Sequence, residues 1–307
     1  MKNVSSLAYG EVLFDIYGEK AVIGGAPLNF AAHMAKLGAR SYVLSAVGND
    51  SLGDDAVKFI RACGVSDVFL HKTDAPTGVC KVTLSDTGLP SYELCRNVSY
   101  DKIYVTADEI DTIKREKFDI FYFGTLALRE KKSFDTLKEL LANCRDSFRE
   151  VFFDVNIRQN FYSREVVEFG LRSCTTIKVS REEADVFAKL GIFDVSLSGE
   201  EYLRGLCVFL CREYGIGRVL LTLDSDGAFV YSASEGKFTN QAAVKTEVVS
   251  SVGAGDSFSA AFTYASLCGK SDRDALALGT EISGFVVGKV EAIPEYDETI
   301  IKKITDC

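Results

Sequence analysis

An aspartate directly behind two glycines marks the most chemically suggestive stretch of this chain, Ser250-Ser251-Val252-Gly253-Ala254-Gly255-Asp256-Ser257-Phe258. A strand-like run over 245–249 feeds it. A helical pattern leaves it, because Phe258, Ala261, Phe262 and Ala265 fall at i, i+3, i+4 and i+7. The first amides of a helix lack internal partners, and the helix dipole there favours negative charge. Gly253, Ala254 and Gly255 would let an anion approach that backbone closely. Asp256, just inside the turn, could act as a base toward a nucleophile held beside the anion. An anion hole with a base is what phosphoryl transfer requires, since most of that catalysis is positioning and charge stabilisation. Read locally, a plain Gly-rich turn with a helix-terminal aspartate explains the stretch as well.

Other polar clusters fall where an open α/β sheet builds a site, at strand ends and helix starts. Asp15 lies past the first strand, and Gly24, Gly25 and Asn29 open a helix. Asp154, Asn156 and Arg158 end one strand, Lys178, Ser180 and Glu183 another, and the segment from Thr222 to Gly227 a third.

The elements that must position these residues follow from the pattern of the chain. A first strand is expected over 4–13, then a hairpin through 14–23, a helix stopped by Gly38, a strand over 41–47 and a helix over 52–63. Two strands, 77–84 and 91–97, are expected about a turn at Ser85-Asp86-Thr87-Gly88. Together with 14–23 they form a small β flap. From there strands (118–126, 150–156, 175–179, 218–223, 228–232) alternate with helices, and two helical stretches close the chain. Repeated β-α-β order implies a mostly parallel sheet covered on both faces, a three-layer α/β/α sandwich. The whole chain, 1–307, is expected to be one such domain carrying a β lid from about 14–23 and 76–98.

Composition excludes several classes. The net charge of −9, with no compensating Lys/Arg run, argues against nucleic-acid and anionic-membrane partners. No apolar run approaches the roughly 18 residues needed to span a bilayer. The nine scattered cysteines form no C-x-x-C pair, so reduced thiols in a cytoplasmic protein are expected rather than zinc or disulfides. With only two histidines, His33 and His71, no histidine-centred mechanism is expected, and both read as structural or surface residues.

These residues together resemble the ribokinase-like (PfkB) family of sugar and nucleoside kinases. Gly10-Glu11-Val12-Leu13-Phe14-Asp15 matches the family's start, Gly24-Gly25-Ala26-Pro27-Leu28-Asn29-Phe30-Ala31 its first signature, and Val252-Gly253-Ala254-Gly255-Asp256 the core of its second. Within the family, Gly24 to Ala31, Pro76-Thr77-Gly78-Val79, Phe123-Gly124-Thr125-Leu126-Ala127 and Asp154 to Tyr162 look most like the bacterial fructokinase group. The resemblance implies an ATP-dependent kinase for the primary hydroxyl of a small sugar, fructose first. 2-Keto-3-deoxygluconate, ribose or another ketose, or a non-catalytic sugar-binding role, are the alternatives. It implies Asp256 as general base and Gly253, Ala254 and Gly255 as anion hole. Asp15, Gly24, Gly25, Asn29, Tyr92 and Asn156 would hold the sugar, and Arg158 would reach the sugar or the moving phosphate. Lys178, Ser180, Thr222 and Gly227 would lie along ATP, and Glu183 would reach Mg²⁺ through water. A monovalent cation beside the anion hole and a homodimer through the lid belong to the same set of expectations.

Four positions depart from the family pattern. Ser250-Ser251 stands for Asp-Thr, which removes a carboxylate from the monovalent-cation site. Ser180 stands for Asn, Asp224 for Gly, and Glu291 for the Gly before Ala292.

Overall fold

The computed structural model describes residues 3–84 and 90–305. The expected turn at 85–88 and Cys307 fall outside them. Thirteen strands occur in chain order among the described residues: β1 Ser5–Tyr9, β2 Leu13–Tyr17, β3 Lys20–Gly24, β4 Arg40–Gly48, β5 Val65–Thr73, β6 Gly78–Leu84, β7 Pro90–Leu94, β8 Phe118–Gly124, β9 Phe148–Asp154, β10 Thr176–Ser180, β11 Arg218–Thr222, β12 Ala228–Ser232 and β13 Lys237–Gln241. Nine form one sheet in the order β13-β12-β11-β10-β9-β8-β1-β4-β5, parallel except where β12 runs against its two neighbours. The other four form a small sheet, β3-β2-β6-β7.

The large sheet is buried on both faces. Its central strands therefore read as near-continuous apolar runs, such as Phe118-Asp119-Ile120-Phe121-Tyr122-Phe123 in β8. On one face pack α1 Ala26–Lys36, α2 Ser51–Ala62, α8 Ala254–Leu267, α9 Asp272–Val287 and α10 Glu298–Thr305. On the other lie α3 Ala107–Glu116, α4 Lys131–Cys144, α5 Arg164–Ser173, α6 Arg181–Lys189 and α7 Gly199–Tyr214. Two hydrophobic cores result, one per face. The first is anchored on Phe121, Phe123 and Phe153, the second on Phe30, Tyr122 and Phe152. This is the three-layer ribokinase-like arrangement.

Several elements differ from the sequence reading. The expected first strand over 4–13 is two: β1 stops at Tyr9, and after Gly10–Val12 the chain enters the small sheet as β2. The run 245–249 is not a strand. Its Val249 and Ser250 amides both donate to the Val287 carbonyl at the end of α9, and β13, unforeseen, closes the sheet instead. β5 and α3 were also unforeseen, although α3 opens with a readable capping box: Thr106 and Glu109 each accept from the other's backbone N–H.

Both histidines are structural. His71 Nε2 donates to Glu109 Oε1 at 2.8 Å, and the ring stacks on Tyr104. Every cysteine among the described residues is a free thiol. No helix among them is long and apolar enough to cross a membrane.

Candidate active site

The carboxyl ends of β1, β8, β9, β10 and β11 point to one edge of the sheet, and the candidate residues gather there. Asp256 lies in the first turn of α8, behind Gly253, whose φ of 81° suits glycine. A Cβ at Gly253 would stand 2.8 Å from the carbonyl oxygen of Ala292, so this turn is pressed against the 290–294 loop. That loop is itself fixed. His33 Nε2 lies 2.9 Å from the Ala292 carbonyl, and its Nδ1 lies 2.6 Å from the Tyr296 hydroxyl. A carbonyl only accepts, so Nε2 carries the proton and Nδ1 accepts from Tyr296. Burial drives the His33 pKa down to about 4, which keeps that tautomer neutral.

Asp256 is only 8% exposed, and Asn29 Nδ2 donates to its Oδ2 at 2.7 Å. This bond joins α1, on the first signature, to α8, on the second. Burial raises the Asp256 pKa to about 6, and the nearby Asp154 charge adds to the rise. The hydrogen bond from Asn29 and the charges of Lys178 and Arg158 hold it from going higher.

Beneath the turn lies a buried cation. Lys178 is 6% exposed, and a Cβ at Gly255 would stand 3.1 Å from its Nζ. Its ammonium donates to Asp154 Oδ1 at 3.0 Å. Asp154 is fully buried and takes a further hydrogen bond from the Tyr122 hydroxyl at 3.1 Å, with Ser259 Oγ at 3.5 Å. Burial works against the Lys178 charge, but Asp154, Glu183 and Asp256 outweigh it and raise its pKa. Tyr122 and Ser259 had no signal in the sequence, because neither belongs to a motif. Asp154 stood in a visible strand end without an evident task.

The residues expected to hold a sugar cluster around this centre. Gly25 has a φ of 113°, and a Cβ there would come within 2.4 Å of the Glu11 carbonyl oxygen, so the position admits only glycine. Asp15, half-buried in β2, faces Cys80 across the small sheet. Burial raises its pKa, while the Cys80 thiol and Arg158 oppose the rise. Asn156 is buried with its backbone in the left-handed region, at φ 39°, and Gln159 follows at φ 51°. Two strained residues in one loop locate a segment held by its surroundings. Arg158 is exposed, and its charge reaches Asp15, Glu11 and Asp256. Tyr92, on β7, is 48% exposed. Gln159 Nε2 donates to the Tyr92 carbonyl at 2.6 Å, tying the small sheet to this loop.

The other flank is built differently. Ser180 caps α6, and Glu183 completes its capping box. Glu183 Oε2 accepts from the Ser180 amide and Oε1 from the Ile157 amide, both at 2.8 Å. Each oxygen of this buried carboxylate thus already serves the backbone. No group of three His, Cys, Asp or Glu among the described residues could hold a metal ion. Thr222 ends β11, next to Ser180 in the sheet, and Gly227 ends the turn that follows it. Asp224, at φ 52°, lies beside the Glu182 carboxyl. Burial and that neighbour raise the Asp224 pKa.

Residues 4–299 match the pfkB family carbohydrate kinase model. The chain belongs to this family. It is 28% identical to an ATP-dependent 6-phosphofructokinase of Thermoanaerobacterium thermosaccharolyticum, over 96% of this chain and 92% of that protein. It is 23% identical to a 5-dehydro-2-deoxygluconokinase of Halalkalibacterium halodurans, over 97% and 93%. In fold it is similar to a fructokinase with bound ATP from Xylella fastidiosa, with a TM-score of 0.84, 19% identity and 98% of both chains covered.

The buried pair makes a stability prediction. Lys178→Met leaves Asp154 charged and without its counterion, which should cost about 3–5 kcal/mol. Thermal denaturation should show a large fall in Tm that the double variant Lys178→Met/Asp154→Asn partly restores. Wild-type Tm in the single variant would mean that the pair is not formed.

Proposed function

We propose that this chain is an ATP-dependent kinase that phosphorylates the primary hydroxyl of a small sugar, fructose first. The single observation that carries the reading is the 2.7 Å hydrogen bond from Asn29 to Asp256. It brings the residues suited to a diol within reach of a buried base at a helix N-terminus. Fructose comes first because four segments, 24–31, 76–79, 123–127 and 154–162, resemble bacterial fructokinases. The similarity to a 6-phosphofructokinase adds fructose 6-phosphate to the acceptors, and Arg158 offers an exposed cation for such a group.

In this reading Asp15, Gly24, Gly25, Asn29 and Asn156 hold the sugar hydroxyls, and Tyr92 closes over the ring from the small sheet, which acts as a lid on the single domain. Asp256 takes the proton of the primary hydroxyl as its oxygen attacks the γ-phosphorus. The bond from that phosphorus to the β–γ bridging oxygen breaks, and ADP leaves with the electron pair. The amides of Gly253, Ala254 and Gly255 receive the charge on the moving phosphoryl group, with Lys178 beneath them and Arg158 above. Ser180, Thr222 and Gly227 line the nucleotide. Glu183 would hold Mg²⁺ through water, and the ion would offset charge on the phosphates. A cytoplasmic location and a homodimer through the lid belong to the same reading. The exposed Tyr17 and Tyr92, 40% and 48% accessible, would lie at or near that interface.

Four outcomes test it. Purified protein with ATP, Mg²⁺ and a panel of fructose, fructose 6-phosphate, ribose and 2-keto-3-deoxygluconate should release ADP with at least one acceptor. Sugar binding without turnover across the panel would favour a non-catalytic sugar-binding protein. Asp256→Asn should lower kcat by about 10²–10⁴-fold while the fold is kept. Because the base must be ionised, wild-type kcat/KM should rise with pH through about 6, the value set by burial of Asp256. Sedimentation at micromolar concentration should give a dimer, and a single monomeric species would remove that part of the reading.

A further inference from the structure

One buried carboxyl beside the site has no task in the mechanism above. Glu11 follows β1 at the point where the chain turns from the large sheet into the small one. It is 3% exposed, and its Oε2 is buried with no hydrogen-bond partner among the described residues. The Ala26 amide faces the carboxyl and favours its charged form. Ala26 is the first residue of α1, whose cap, Gly25, has no side chain with which to cap it. Glu11 therefore supplies from outside the helix what its own N-terminus lacks. The Gly25 contact fixes the approach, since a Cβ there would also lie 3.4 Å from Glu11 Cγ.

The charges that face Glu11 come from several elements. Arg158, after β9, favours its ionised form, and Asp256, on α8, disfavours it. Tyr100 and Tyr122, from the 99–102 turn and β8, lie near enough to feel its charge. The α1 N-terminus favours ionisation. Lys178 is already paired with Asp154, and Arg158 is exposed. Two carboxyls in one buried pocket with so little countercharge do not both ionise cheaply.

We propose that Glu11 is a further positioning residue of this site, a buried acid that stays protonated when the enzyme works. It caps α1 so that Asn29 remains on Asp256, and by staying neutral it adds no further unpaired charge beside the base. Burial supports this by raising its pKa from 4.5 to about 7, above that of Asp256.

The proposal rests on the kinase reading for its catalytic part, and the test separates the two. Glu11→Gln keeps an oxygen for the Ala26 amide and cannot ionise. In the wild type, kcat/KM for the accepted sugar should fall several-fold from its optimum by pH 8, as Glu11 ionises. In Glu11→Gln that falling limb should vanish while the rising limb near pH 6 stays. A readout without turnover is the Tm of each protein against pH. A carboxyl whose pKa is raised in the folded state contributes stability fully below its unfolded value of 4.5, lost as pH rises through about 7. The Tm of Glu11→Gln minus that of the wild type should therefore grow between pH 5 and pH 8. A flat difference, or a falling limb retained in Glu11→Gln, overturns the proposal. A growing difference with no turnover of any acceptor supports the protonated Glu11 and overturns the kinase reading instead. If Glu11→Gln does not fold, carbon-13 NMR of side-chain carboxyls in the wild type reads the same proton. One glutamate titrating near 7 supports the assignment, and all of them titrating near the ordinary value, about 4.3, overturns it.

Discussion

The site depends on a buried positive charge that is neutralised from below. Lys178 lies against Gly255 at the start of α8, where a helix N-terminus already favours anions. Alone, a buried ammonium would lose its proton or disrupt the core. Asp154 prevents this with a 3.0 Å ion pair, and is itself satisfied by Tyr122 and Ser259. The consequence is an ammonium fixed in place beneath the α8 N-terminus. Asp256 stands one residue beyond, and its carboxylate is buried beside the Asp154 charge. The pair thus sets both the place for an anion and part of the basicity of the aspartate next to it.

The parallel sheet explains why these groups meet. Asp154 ends β9 and Lys178 sits in the adjacent β10, directly across the register. A polar pair inside a sheet covered on both faces is costly unless its members satisfy each other. Tyr122, from β8 on the other side of β9, completes the network from the same layer. The helices then bring the remaining groups. α1 delivers Asn29 and α8 delivers Asp256, and their hydrogen bond ties the two helices across the top of the sheet.

Much of this was legible in the chain. The glycines at 24, 25, 253 and 255 were readable because each answers a local requirement of backbone shape or space. The helices over 164–173 and 199–214 were readable because their apolar spacing and caps agree. What was not legible depends on contacts distant in sequence. Nothing near Tyr122 or Ser259 announces that both end on Asp154. Glu11 looked like part of a motif, while its burial against Ala26 exists only once β1 and α1 are packed. The 245–249 run carries the β-branched Thr246, Val248 and Val249 of a strand, but Gly284 and Gly288 leave room for residues 244–247 to lie along α9. Val248 and Val249 remain exposed, with no strand beside them. Edge strand β5 carries a mixed pattern because part of its polar face is used: His71 bonds Glu109 and stacks on Tyr104.

The departures from the family pattern are each absorbed by a local bond. Ser250 Oγ accepts from the Val252 amide at 3.2 Å, so the turn ahead of Gly253 keeps a side-chain brace after losing a carboxylate. Ser180 still caps α6, with Glu183 completing the box that an asparagine could equally begin. Asp224 lies beside the Glu182 carboxyl, which raises its pKa, and Arg181 pairs with the neighbouring Asp226. Glu291 changes the residue before Ala292, yet Ala292 itself stays pressed on Gly253 and held by neutral His33. Each substitution therefore changes which group makes a contact and preserves the backbone around it. A helix N-terminus that presents its backbone amides is sensitive to the second of these and tolerant of the first. That is why changes at four flanking positions leave the geometry of Gly253, Gly255 and Asp256 in place.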